Sequence, residues 1–211
     1  MNPTDPFSLA QAAAAFQHKL TRLPDDVDPE RHAQPGAPWG WLTQLADAAA
    51  RRQVLARLFP QLVAPWPALA RLLERPARLA LLDRPTMVRH WCLLALAGRP
   101  GVLRCVIERE ARRSLQEALG AAFEPLLSVS TRGRTVSEHA AAWTPVHWAC
   151  VGYNDWTALL QAEDAALRRM ARLSLPPGLL GVHREMRETA ADLTPATALA
   201  LIDELRLEWS C

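Results

Sequence analysis

His90-x-Cys92, Cys105 and His147-x-x-Cys150 are the side chains whose types and spacing come nearest to metal or thiol chemistry in this sequence. Structural zinc needs four ligands, usually in paired short spacings such as two CxxC units. These spacings do not pair, and residues two apart on a helix, as His90 and Cys92 are, do not face the same way. No metal site is expected. Cys150 has His147 one helical turn before it, the nearest approach to a thiol and its base. A catalytic thiolate needs an open, electropositive surrounding, and Trp148-Ala149-Cys150-Val151 supplies none. The expectation is a buried, inert cysteine.

Other chemistry is no better served. The chain has no GxSxG, no GxxxxGK and no GxGxxG. Gly98-Arg99-Pro100-Gly101 reads as a turn, because proline removes an amide that a phosphate cradle would use. The acid pairs Asp25-Asp26 and Asp203-Glu204 read as solvated. No catalytic residue and no cofactor are expected.

The elements around these residues are helical. Half of the 211 residues are apolar, so the chain can bury a sizeable core, and β-branched residues are sparse beside Ala, Leu and Arg. Seventeen prolines punctuate it, which favours short helices stopped by proline. The fold class expected is all-α: a compact orthogonal array of short helices in a single domain. Residues 1–38 read as an N-terminal helix followed by an acidic, proline-rich linker or draped loop over 24–38. Residues 39–211 read as the helical core.

Particular boundaries follow from caps and breakers. Asp5-Pro6 reads as the start of the first helix, which runs to about Leu23. A helix over 39–59 has Trp41, Leu42, Leu45, Ala48, Ala49, Leu55 and Leu58 as its buried stripe. Thr135 with Glu138 makes a capping box. Residues 146–171 read as two helices meeting near Gly152. Pro176-Pro177-Gly178 with Gly181 marks a break, and Thr194-Pro195 opens a last helix with the stripe Leu199, Ile202, Leu205 and Trp209.

Charge is uneven. Residues 1–50 carry a net of −3, residues 51–113 a net of +9 and residues 114–211 a net of −4, and Lys19 is the sole lysine. A basic middle between acidic ends either neutralises its own ends or offers a patch to an acidic partner. The cysteines are scattered, with no disulfide framework, as suits a reducing compartment. The first residues lack the basic head and apolar run of a signal peptide, and no apolar run approaches the roughly 18 residues of a membrane span. A cytoplasmic protein is expected. The eight tryptophans are mostly core, each indole N–H needing a partner. Trp39, Trp41, Trp66 and Trp209 neighbour loops or ends, where one or two would serve as exposed anchors.

The centre of the expected core is the hairpin from Thr86 to Ser128. Its first helix, Met87 to Ala97, is apolar almost all round and has to be wrapped by others. Its second is expected to run unbroken from Val102 to Leu119, about 27 Å at 1.5 Å per residue. Leu103, Val106, Ile107, Ala111, Leu115, Ala118 and Leu119 share one face, and Gly120 is the C-cap. The opposite face carries Arg104, Glu108, Arg109, Arg112, Arg113, Gln116 and Glu117. Glu108 to Arg112 and Arg113 to Glu117 are spaced for local pairing.

The run RHWCLLALAGRPGVLRCVIEREARRSLQEALGAAFEPLL resembles a stretch of the SctK family (YscK/PscK-like) of bacterial type III secretion systems. There an apolar helix leads into a pattern matched here by Leu103, Arg104, Val106, Ile107, Leu115, Leu119 and Gly120. Elsewhere the likeness is one of length and composition. The resemblance implies a non-enzymatic adaptor of the cytoplasmic sorting platform, at the cytoplasmic face of the inner membrane. It would link the cytoplasmic domain of the inner-membrane ring protein (SctD-like) to the pod protein (SctQ-like), without membrane insertion or nucleic acid.

The family pattern brings no site residues with it. Charge does: Arg104, Arg109, Arg112 and Arg113 are expected as a basic face for one partner, and Asp203, Glu204 and Glu208 as an acidic end for another. The alternative is a DNA-binding regulator that reads the major groove with the 102–119 helix, although Glu108, Glu110 and Glu117 lie on or near that face. A Trp-lined ligand pocket that draws in His90 or His147, and a secretion chaperone, are further readings. The usual chaperone is smaller and strongly acidic.

Overall fold

The computed structural model describes residues 8–63, 66–179 and 190–207. It is 72% helical with no strand among the described residues, so the chain is all-α. In chain order the helices are α1 (Leu9–Asp26), α2 (Pro29–His32), α3 (Trp39–Thr43), α4 (Ala48–Leu62), α5 (Arg75–Arg78), α6 (Arg84–Gly98) and α7 (Val102–Cys105). There follow α8 (Arg109–Leu119), α9 (Phe123–Ser128), α10 (Glu138–Ala141), α11 (Pro145–Thr157), α12 (Ala165–Arg172) and α13 (Pro195–Glu204), with short 3-10 turns between several of them. Contacts divide the chain into two units. The first comprises residues up to Met87 with Leu160–Pro176, and the second comprises Val88–Leu159 with the described residues from Pro177 onward.

In the first unit α1 packs on α3, α4 and the turn Leu69–Leu73. Ser8 caps α1 and closes a capping box with Gln11; the Asp5-Pro6 start lies outside the described residues. Helix α1 runs on through Pro24 to Asp26, and the acidic stretch after it is tied down. Asp26, Val27 and Asp28 are buried. Lys19 Nζ donates to Asp26 Oδ2 at 2.7 Å and to the Leu82 carbonyl at 2.5 Å. Arg84 donates its amide to Asp26 Oδ1 and its guanidinium to Asp28 Oδ2 at 2.6 Å. The Asp28 amide donates to the Leu173 carbonyl at 2.8 Å. Asp26 is therefore a buried ionic partner of Lys19, not the solvated acid expected from Asp25-Asp26. Asp25 is the exposed member, paired with Arg51 at 2.9 Å.

The helix expected over 39–59 is two helices. Asp47 accepts from the Ala49 amide at 2.9 Å and starts α4 afresh. The break rotates the stripe: Leu42 and Leu55 are buried, whereas Trp41 stands 48% exposed, with Ala48 and Ala49 exposed beside it.

In the second unit α6 is the buried centre, with Trp91, Leu94, Ala95 and Ala97 fully enclosed. Trp91 meets Tyr153 edge-on at 5.4 Å and Trp156 at 5.8 Å. Helix α11 does not break near Gly152 as expected; it runs unbroken from Pro145 to Thr157 under the Thr144 cap, with Gly152 against the Trp91 carbonyl. The indole N–H groups of Trp91 and Trp148 find no hydrogen-bond acceptor among the described residues, contrary to expectation.

The turn after α6 is closed by the Arg99 and Val102 amides. Arg99 is locked inward on Asp155 at 2.6 Å. The second helix of the hairpin is not continuous. Residues 106–108 are non-helical, and Ile107, expected on the buried face, is 81% exposed. Leu103, Val106, Leu115 and Leu119 are buried as expected. Gly120 ends α8 with φ +55°, the conformation a C-terminal glycine permits. Ser137, two residues after the expected Thr135, caps α10. Thr194 caps α13 with Pro195 in its first turn, as expected.

Candidate partner-binding surfaces

Helix α8 owes its geometry to a glycine stop at its C-terminal end and one apolar seam. Gly120 stops it, and Leu115 and Leu119 bury its inner face. Packing against α9 and α11 leaves the charged face outward. Arg109, Arg112 and Arg113, with Glu110 and Gln116, line one shallow depression of about 540 Å³ on that face. Arg109 and Arg113 are exposed and one turn apart.

Their local partners differ from the pairing expected. Arg113 does pair with Glu117, at 2.8 Å and fully in solvent, where such pairs contribute little. Arg112 instead lays its guanidinium over the Phe123 ring, 5.4 Å from the centroid, a cation–π contact that fixes its direction. Glu108 stands at the helix start, its backbone carbonyl accepting from the Arg112 amide at 3.0 Å, and its side chain does not cap the helix.

Arg104 does not join this group. The break at 106–108 puts it in α7, where its guanidinium donates to the Ser130 carbonyl at 2.7 Å. It is half-buried and positions a turn. Periodicity alone carried it onto the same face, because the break was not legible from spacing.

Asp203 and Glu204 are exposed at the C-terminal end of α13, and Glu208 lies outside the described residues. Two carboxylates beside the negative end of a helix dipole are unfavourable for the helix itself.

Residues singled out for chemistry are enclosed or engaged structurally. Cys92 and Cys150 are buried, and burial pushes the Cys92 thiol up to about 12, far from a thiolate at neutral pH. His147 bonds Thr144 Oγ1 through Nδ1 at 2.7 Å and stacks on Trp143. Burial and the neighbouring His139 lower its pKa. Among the described residues no three His, Cys, Asp or Glu side chains are grouped to hold a metal, and no helix is long and apolar enough to cross a membrane.

Of the tryptophans placed near loops, Trp39 is buried, Trp41 and Trp66 are about half exposed, and Trp209 lies outside the described residues. Ile107 is an exposed apolar side chain that the sequence reading missed, because its i±4 neighbours suggested a seam position. No family model matches the chain, and no curated protein or solved structure is significantly similar to it.

Proposed function

We propose that this chain is a non-enzymatic helical adaptor of a bacterial type III secretion sorting platform. In this reading it sits at the cytoplasmic face of the inner membrane and links the ring protein's cytoplasmic domain to the pod protein. Two lines support it. One is the resemblance of residues 89–127 to the SctK family. The other is the α8 ridge, where Arg109 and Arg113 are held outward on a helix whose inner face is fully committed to the core. The ridge is the observation that carries the reading: exposed arginines on a rigid helix are suited to an acidic protein surface.

A DNA-reading role fits the same ridge less well. The helix expected to lie in the groove is broken at 106–108, and Glu110 shares the depression with the arginines.

The test is co-purification of the full chain with the pod protein and, separately, with the ring protein's cytoplasmic domain from the same gene cluster. Wild type is expected to retain at least one of them, and Arg109→Glu/Arg113→Glu to lose it while keeping its helical circular dichroism. Arg112 is left unchanged because its contact with Phe123 supports the fold. If neither protein is retained and salt-sensitive DNA binding appears instead, the adaptor reading fails.

A further inference from the structure

The first unit carries a second open surface of different chemistry. Helices α1 and α4 and the residues Trp66, Pro67 and Leu69 line a trough of about 690 Å³. Ala13, Phe16 and Leu20 form its floor from α1. Ala56 comes from α4, and Trp66 and Leu69 close the far rim. Trp66 is not a loose surface ring. It stacks on Phe59 at 4.9 Å and meets Phe16 edge-on at 5.8 Å, yet stays 45% exposed. Leu69 is 37% exposed beside it, and Leu9, one turn before Ala13 on α1, is 51% exposed. Exposed apolar side chains grouped beside a concavity are where a partner's apolar face finds purchase.

One charged side chain lines the trough, Arg52 of α4. It is exposed, and it makes no hydrogen bond or ion pair among the described residues, whereas its neighbour Arg51 is fully engaged with Asp25, Thr43 and Leu45. Apart from Gln17, the trough is thus apolar along its length, with one unanswered cation on a wall.

We infer that this trough is a docking groove for an amphipathic helix of a partner protein, one whose apolar stripe bears an acidic residue that meets Arg52. The walls are helices, and no strand among the described residues offers an edge to an extended peptide. A helix presenting side chains at i, i+3 or i+4, and i+7 fits such a trough. The anchored, half-exposed Trp66 is the kind of residue on which binding energy concentrates. Charge complementarity fixes the sign: a carboxylate on the incoming helix pairs with Arg52, and a lysine there is repelled. This inference stands on the groove and does not require the secretion reading.

The experiment selects binders for the full chain from a phage-displayed library of helical peptides and measures their Kd by fluorescence anisotropy. The enriched peptides are expected to share apolar residues at i, i+3 or i+4, and i+7, with one conserved Asp or Glu. Arg52→Glu is expected to weaken them at least tenfold, and replacing the peptide's acid with Lys is expected to restore binding to that variant. Trp66→Ala and Leu69→Glu are expected to weaken binding as well, with circular dichroism melts checking the fold. Because Arg52 is exposed and unbonded, its variant remains informative even if Trp66→Ala fails to fold. Binders without the stripe, equal binding to Arg52→Glu, or no enrichment at all overturns the proposal. Self-association of the chain that is lost in Leu69→Glu would assign the groove to a second copy and overturn it too. The pod and ring assays with Arg109→Glu/Arg113→Glu read a separate surface, so the two proposals fail independently.

Discussion

Gly152 of α11 lies so close to Trp91 of α6 that a β-carbon added to it would stand 1.7 Å from the Trp91 carbonyl oxygen. Two helix backbones meet there, and the approach brings Trp91 within ring contact of both Tyr153 and Trp156. The obstacle is backbone, which has no rotamer to yield.

Gly152→Ala is therefore expected to destabilise the protein by about 3 kcal/mol. At an unhindered helical site the same change would gain about 1 kcal/mol from propensity, so the sign alone is diagnostic. Urea unfolding followed by tryptophan fluorescence reads it. A neutral or stabilising result would mean that α6 and α11 do not cross at this residue.

That contact also marks where the sequence stops being legible. Glycine inside a helical pattern was read as a break, by local propensity, whereas its role is set by a helix sixty residues away. The buried ion pair of Lys19 and Asp26 was missed for a related reason. Its members lie two turns apart on α1, beyond the i+3 and i+4 reach that guides pairing on one helix, and what fixes them is the distant Leu82 carbonyl and Arg84 amide. Punctuation, by contrast, was legible: Gly120 and Thr194-Pro195 act through neighbouring backbone groups, and local sequence reports them. At the candidate ridge, Arg109, Arg112 and Arg113 fell together because they share one uninterrupted helix. Arg104 separated from them at a break that no proline or glycine announces.

Asp164 provides a pH-dependent test of the first unit. Its side chain is fully buried. It receives Arg71 Nε and a terminal guanidinium nitrogen at 3.0 and 2.8 Å, and the Gln161 amide at 2.9 Å. Burial alone would raise its pKa, but the bonds from Arg71 and the Gln161 amide outweigh that and hold it below the usual carboxylate value. A group whose folded pKa is depressed binds more protons unfolded than folded in the window between the two values. Its stabilisation is complete above the unfolded pKa and lost as pH falls through the folded one. Asp164→Asn is expected to cost about 3 kcal/mol at pH 7, since it takes the buried carboxylate from Arg71 and leaves it only the half-exposed Glu74. Below pH ~4 the gap between wild type and variant is expected to narrow. Urea midpoints at pH 7 and pH 3 check this, and a gap that stays constant would remove Arg71–Asp164 from the acid response.

Arg206 is the only non-glycine with positive φ among the described residues, at +52°, and it sits just past the end of α13. The Arg206 amide donates to the Asp203 carbonyl and the Leu207 amide to the Ile202 carbonyl, each at 3.0 Å. This paired closure of a helix end usually has glycine at the left-handed position. A side chain there crowds its own carbonyl at a cost of about 1 kcal/mol. Arg206→Gly is accordingly expected to stabilise the chain by about 1 kcal/mol. Arg206→Ala removes the same charge but keeps the β-carbon, and is expected to show no such gain. Thermal melts of the two variants separate backbone strain from electrostatics. Equal stability of the glycine and alanine variants would mean that the left-handed turn at Arg206 carries no strain worth relieving.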